Sequence, residues 1–383
     1  MPASSSDNRS LLLLVFSQFA GTSVWFAGNA IADKIAPGSG SAGMTTFVQF
    51  GFIAGTLVFS LFTIADRYPA KAVFFFSALL AAAANGAIVF IFKFPPAISL
   101  LRFATGFFLA GIYPVGMKIA ADVFPKKLGK ALGWLVGALV LGTAFPHLVR
   151  SQLGGLNWKT VVVTSSLLAA TGGFVVFFFL PPTKKPALLS KPDFAAAFTV
   201  FRYPAFRSAA FGYFGHMWEL YAFWAILPAL FSAYQGFHHL PSHPFGWSFA
   251  SIGIGSIGCV AGGWLSLRRG SRTVAVMALL LSFCCCLVAP LAFLAGPVVF
   301  YSFVLLWGFV VIPDSPQFSA LVAGAAGEKV KGTALTVVTC IGFAITIASI
   351  QLLKELFSVM NEKALWILAP GPLLGLLALR NRK

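Results

Sequence analysis

Four ionisable side chains stand inside long apolar runs of this chain. They are Arg102 in "RFATGFFLAG", His216 and Glu219 in "GYFGHMWELYAFW", and Asp314 in "WGFVVIPDSPQF". On a helix, His216 and Glu219 lie on one face about a turn apart, where they can share a proton or a ligand. Trp218, Tyr221, Phe223 and Trp224 surround Glu219 in sequence and leave it little water. A neutral carboxyl can cross between states that a charged one cannot, which is the behaviour proton coupling needs. The alternative is a structural His–Glu pair, or a glutamate bonded to a neighbouring helix. Asp314 is flanked by Pro313 and Pro316, which remove two backbone donors. A helix broken there frees carbonyls beside an acid, with Gln317 adding a second polar group. The alternative is a kink whose aspartate bonds freed backbone or Ser315. Arg102 costs about 2.5 kcal/mol or more in a bilayer, so it is expected either to face protein or water with a partner or to snorkel to a surface.

The elements that must hold these groups follow from composition. Of 383 residues, 58% are hydrophobic and only 10% are charged. An ordinary soluble domain carries about 25% charged residues, so a soluble globular protein is excluded. Apolar runs of about 18 or more residues recur throughout, long enough to cross a hydrocarbon core of about 30 Å. The expected fold class is an all-α polytopic membrane protein. Its spans are predicted near 11–31, 44–65, 72–92, 96–119, 129–150, 158–180, 208–231, 246–267, 273–294, 297–320, 332–352 and 363–380. The first apolar run is longer than a signal-peptide core and carries polar residues, so it is read as a retained span.

The net charge of +17 is spread in short clusters between spans. That speaks for topology signals and against a nucleic-acid partner. With the N-terminus inside, twenty basic residues fall on the inner side, among them Arg9, Lys126, Lys127, Lys184, Arg268 and Lys329. The outer side holds six: Lys34, Lys93, Arg150, Lys159, Lys354 and Lys363. The alternation follows the positive-inside rule and places both termini in the cytoplasm. The five cysteines all fall within predicted spans without C-x-x-C spacing and read as packing residues. The longest connection, residues 181–207, divides the chain into halves at 1–180 and 208–383. "KKLGKALGWLVG" before span five has a counterpart in "EKVKGTALTVVT" before span eleven, and "IADRYPAK" after span two has one in "LSLRRGSR" after span eight. Two homologous six-helix halves are an architecture of secondary transporters.

These features resemble the major facilitator superfamily along essentially the whole chain. The family's G-x-L-A-D-R-x-G-R-[RK] loop after span two is matched by "FTIADRYPAK", which keeps Asp66, Arg67 and Lys71 but has Phe62 and Pro69 at the usual glycines. The resemblance implies a gating role for those three residues. The second copy, "GGWLSLRRGSR", keeps Arg268, Arg269 and Arg272 but has Leu267 at the acidic place. In span four, Arg102, Gly106 and Gly111 resemble the R-x-x-x-G pattern. "GKALGWLVGALVLGTAFPHL" in span five is similar to the glycine-proline motif of family antiporters, though small residues at this spacing also mark close helix packing. The implied fold has twelve transmembrane helices in two pseudo-symmetric halves, with spans one, four, seven and ten lining a central cavity.

Those four spans carry the most conspicuous polar residues. In span one, Gln18, Thr22, Trp25 and Asn29 are spaced four, three and four apart and share a face. The expected function is secondary active transport of a small solute, taken as an organic anion, by alternating access. Glu219 is the expected proton carrier, with His216 and Asp314 beside it. Arg102, Gln18, Trp25, Asn29, Tyr113, Trp218, Trp224 and Gln317 are the expected substrate-binding residues. Efflux of an amphiphilic or cationic drug is the alternative. A further one is a membrane-embedded enzyme using His216 and Glu219 as an acid/base pair on lipid. No cofactor beyond a proton gradient and no metal is expected, since His238, His239 and His243 lack a cysteine or carboxylate companion. The expected setting is a plasma membrane, specifically a bacterial inner membrane, with the chain acting as a monomer.

Overall fold

Apolar runs of this length have one solution in lipid, because every backbone donor and acceptor must be satisfied within the segment. The computed structural model describes residues 5–35, 40–124, 128–152, 157–183, 194–327 and 330–380, and no strand occurs among them. Lys126, Lys127, Lys184, Lys185, Lys191, Lys329, Arg382 and Lys383, all among the twenty inner charges, lie outside these residues, as do 184–193 of the central connection. The chain forms two compact units, Met1–Lys191 and Pro192–Lys383.

In the first unit, span one is the helix Ser5–Thr22, followed by a non-helical stretch and a short 3-10 turn at Asn29–Ile31. Spans two and three are Gly40–Leu61 and Ala70–Ile91. Span four consists of Pro95–Leu109 and Tyr113–Val123, interrupted at residues 110–112. Spans five and six are Leu128–Gln152 and Lys159–Phe179. In the second unit, span seven is Pro204–Phe237, eight is Pro244–Arg269 and nine is Ser271–Phe293. Span ten is Pro297–Val310 and Ser315–Ala325, broken at 311–314. Span eleven is Lys331–Met360, and span twelve joins the 3-10 stretch Asn361–Leu368 to the helix Pro370–Arg380. Prolines open several of these helices, where the missing N–H would have no partner in any case.

Ten of the described helical stretches are long and apolar enough to cross a membrane, and the last, Lys331–Arg380, holds spans eleven and twelve. The broken span one, whose apolar part continues past Thr22, completes twelve. Two elements outrun the sequence-based boundaries. Span seven has 34 residues, about 51 Å of helix at 1.5 Å per residue, well beyond the hydrocarbon thickness. Span eleven continues to Met360, where Asn361 turns the chain with φ of 50°.

The same packing device recurs in both units. A methyl added at Gly106 in span four would strike the carbonyl of Val48 in span two, and one at Gly308 in span ten would strike that of Ser251 in span eight. Gly51 and Gly258 return the contact, against the carbonyls of Phe103 and Phe309. Small residues let two helix backbones touch where lipid supplies no hydrophobic drive for association.

Candidate functional site

Within the second unit, span seven carries His216 and Glu219, each only 1% exposed. They do not share a partner. Three donors converge on the Glu219 carboxylate: the Ser282 hydroxyl, the Cys286 thiol at 3.3 Å and the Trp307 indole N–H at 2.7 Å. Spans nine and ten supply all three. His216 turns to span ten, where its Nδ1 lies 3.0 Å from Asp314 Oδ1. Of the alternatives read from the sequence, these contacts match a glutamate bonded to neighbouring helices and not a direct His–Glu pair, because tertiary partners across the helix interface outcompete the neighbour one turn away.

Asp314 sits in the break of span ten and is 1% exposed. The prolines end the helix as expected, and the break is braced from span eight. A methyl at Gly262 would come within 2.8 Å of Pro313 Cβ. The Cys259 thiol faces the Ile312 carbonyl at 3.9 Å. The imidazole of His216 forms a three-ring cluster with Tyr213 and Phe318, its centroid 6.2 Å from each and theirs 6.5 Å apart. Its Nε2 is buried without a hydrogen-bond partner. Gln317 is buried one residue beyond Pro316. Trp224 is fully buried beside Tyr221, and Trp218 donates its indole N–H to the Ile367 carbonyl at 2.8 Å.

Within the first unit, Arg102 is 0% exposed, so it does not snorkel. Its guanidinium holds the break in span one. Nη1 donates to the Val24 carbonyl at 3.1 Å and to Asn85 Oδ1 at 2.8 Å, while Nη2 donates to the Trp25 carbonyl at 2.5 Å. Asn85 is fixed in turn by the Val162 carbonyl and Ser166 of span six. Gly28 leaves the space that the guanidinium fills, since a Cβ there would lie 3.0 Å from Nε. Arg102 thus acts on backbone acceptors that a broken helix leaves bare. In this arrangement it presents its charge to the chain itself, which removes the geometric basis for its expected contact with an anionic substrate.

The span-one residues separate on inspection. Thr22 returns its hydroxyl to the Gln18 carbonyl at 2.8 Å. Gln18 is 0% exposed and its amide has no hydrogen-bond partner. Trp25 stacks at 5.0 Å from Phe52, and Asn29 is buried in the 3-10 turn. Tyr113 opens the second part of span four and is half-buried. In the loop after span two, Asp66 pairs with Lys118 at the end of span four, Lys71 donates to the Leu180 carbonyl, and Arg67 is exposed. His238 contacts the Phe293 carbonyl at 3.2 Å, and among the described residues no group of three or more His, Cys, Asp or Glu is placed to hold a metal.

Sequence reasoning missed Asn85, Lys118, Ser282, Cys286 and Trp307. Asn85, alone in "AAAANGAIVF", was open to the rule that singled out the charged groups. Cys286 is not merely a packing residue, since its thiol meets a buried carboxylate. Among curated proteins none matches the sequence. The model of the Major Facilitator Superfamily matches residues 10–349. Twelve helical crossings, the polar breaks within them and a match over most of its length agree, and the chain belongs to the major facilitator superfamily as a membrane transporter.

Proposed function

We propose that the protein is a proton-coupled secondary transporter of a small organic solute, working by alternating access, with Glu219, His216 and Asp314 as the groups among which the proton is held. The observation that carries this reading is their burial together in the second unit, where no described lysine or arginine is buried to neutralise them. Ionisable groups inside membrane helices mark ion and proton pathways. Gln18, with its unpartnered buried amide, remains a candidate contact for a polar substrate group, alongside Trp25, Asn29, Tyr113, Trp224 and Gln317. The Trp218 indole and the Nη1 and Nη2 groups of Arg102 are engaged by the chain, and these two residues support this role less.

An organic anion was the substrate expected from Arg102, and that support is withdrawn by its hydrogen bonds to Val24, Trp25 and Asn85. A cationic or amphiphilic solute is the second reading, favoured by the two buried acids. Acid/base catalysis on lipid loses its pair, because His216 and Glu219 have different partners. The proposed setting is a plasma membrane, that of a bacterial cell, with both termini cytoplasmic and the monomer as the working unit. The test is purified protein in liposomes with an imposed proton gradient and labelled organic anions and cationic dyes. Gradient-driven accumulation of one class supports the reading, and flux indifferent to the gradient for every compound ends it.

A further inference from the structure

Three buried titratable groups in one unit leave open which of them accepts the proton, and the hydrogen-bonding inventory separates them. The Glu219 carboxylate is already occupied by Ser282, Cys286 and Trp307. An indole N–H can only donate, so of these three partners Ser282 is the one that can readily turn to accept a proton placed on Glu219. Asp314 has its Oδ1 against His216 Nδ1. Two buried atoms of the His216–Asp314 pair lack a hydrogen-bond partner, Asp314 Oδ1, which already faces Nδ1 at 3.0 Å, and His216 Nε2, the one of the two that lies outside that contact.

We propose that His216 Nε2 is the atom that takes up the coupled proton, with Asp314 as its positioning residue. The inference rests on the proton-coupled reading given above. A carboxylate oxygen 3.0 Å from Nδ1 favours the tautomer that carries its proton on that nitrogen and leaves Nε2 bare, because the bond one ring nitrogen makes decides which of the two is protonated. The step balances simply. One proton from water bonds to Nε2, no other bond changes, and the His216–Asp314 pair goes from a net charge of −1 to zero. A neutral pair meets a lower barrier in a low-dielectric interior than a charged one.

The geometry also explains why the ring is held. Pro313 and Pro316 break span ten beside Asp314, and Gly258 and Gly262 bring span eight against the break. Tyr213 and Phe318 cluster with the imidazole. The elements packed around it carry further titratable groups. Among those that are buried are Asp314 on span ten, Tyr213, Glu219, Tyr221 and Tyr234 on its own helix, Cys259 on span eight, Cys285 and Cys286 on span nine, and Cys340 on span eleven, and the charged residues of these helices, Arg207, Arg268, Arg269, Arg272, Lys331, Lys354 and Glu355, are not buried. Span twelve presents Gly371 and Gly375 to span seven.

The test combines a spectroscopic and a flux measurement on the full chain. Protein carrying nitrogen-15 histidine is reconstituted in lipid, and the His216 signal is identified as the one absent from His216→Gln. The expected result is a bare Nε2 with a protonated Nδ1 at alkaline pH, both nitrogens protonated on acidification, and a several-fold loss of the bare-Nε2 tautomer in Asp314→Asn. A His216 with its proton on Nε2 at every pH overturns the proposal. In liposomes with ethidium or benzoate as probe, His216→Gln is expected to lose gradient-driven accumulation at least ten-fold, while Gly324→Ala, where an added Cβ meets nothing within 4 Å, is expected to accumulate as wild type. Accumulation by His216→Gln equal to wild type overturns this assignment alone. Absence of any gradient-driven flux in the wild type, with the His216 signal behaving as expected, overturns the proton-coupled reading and not the protonation chemistry.

Discussion

Lys71 and Arg272 are counterparts. Each follows the second crossing of its own unit, and each donates to a backbone carbonyl at the end of that unit's sixth crossing, Lys71 to Leu180 and Arg272 to Leu379. The last carbonyls of a helix have no partner within it and carry the negative end of its dipole, so a cation there satisfies both needs. The repeat faintly visible in "IADRYPAK" and "LSLRRGSR" is therefore a repeated contact.

Removing either cation is expected to cost about 0.3–1 kcal/mol, the range for an exposed charge at a helix C-terminus. Lys71→Ala and Arg272→Ala should each lower the melting temperature in detergent by a few degrees, with Arg272→Lys closer to wild type. Melting followed by intrinsic tryptophan fluorescence checks this, and Arg272→Ala melting as wild type would show the contact to be idle.

The glycine crossings predict a larger effect. Gly106→Ala and Gly308→Ala force a methyl against the carbonyls of Val48 and Ser251, and backbone cannot rotate away as a side chain can. Each is expected to destabilise by about 1–3 kcal/mol. Gly324→Ala, where a Cβ meets nothing within 4 Å, is the control and should melt within a degree or two of wild type.

Arg102 should behave as a structural clamp. Arg102→Ala strands the acceptors at Val24, Trp25 and Asn85, an expected loss of about 3 kcal/mol or more for buried charge-assisted bonds. Arg102→Lys cannot reproduce the guanidinium fork and should recover only part of it. A double-mutant cycle with Asn85→Ala should show coupling of about 1–3 kcal/mol in thermal stability. Full stability in Arg102→Lys together with weakened ligand affinity would return the residue to the binding site.

The Glu219 cluster makes a separate forecast. Ser282→Ala and Trp307→Phe each withdraw one donor from a buried carboxylate, at an expected cost of about 1–3 kcal/mol. Glu219→Gln, which can still accept from the indole, should be milder than Glu219→Leu. Ranking the four variants by melting temperature tests the order.

The sequence made the crossings and the interior charges legible, because a bilayer imposes length and apolarity on every segment. It showed the break in span ten too, since Pro313 and Pro316 announce it locally. The break in span one has no such announcement. No proline lies between Ser23 and Gly28, and what holds that stretch is Arg102, 78 positions from Val24. Partner choice was equally hidden. Three-residue spacing puts His216 and Glu219 on one face, but Asp314 and Trp307 reach them from another helix, and spacing within one helix says nothing about that. Span seven outruns its sequence-based bounds at both ends, past Arg207, where a charge suggests an end, and past residue 231, where small and aromatic residues continue without one.

The grip of Arg102 on Val24 and Trp25 has an electrical consequence. One elementary charge moved across the whole membrane exchanges about 2.3 kcal/mol with a potential of 100 mV. A guanidinium tied to backbone on span one and to Asn85 on span three can sample that field only if those helices travel with it. Arg102 is a stationary charge in its own half. Any dependence of turnover on voltage should then survive Arg102→Lys and vanish with His216→Gln, in liposomes clamped by a potassium gradient and valinomycin.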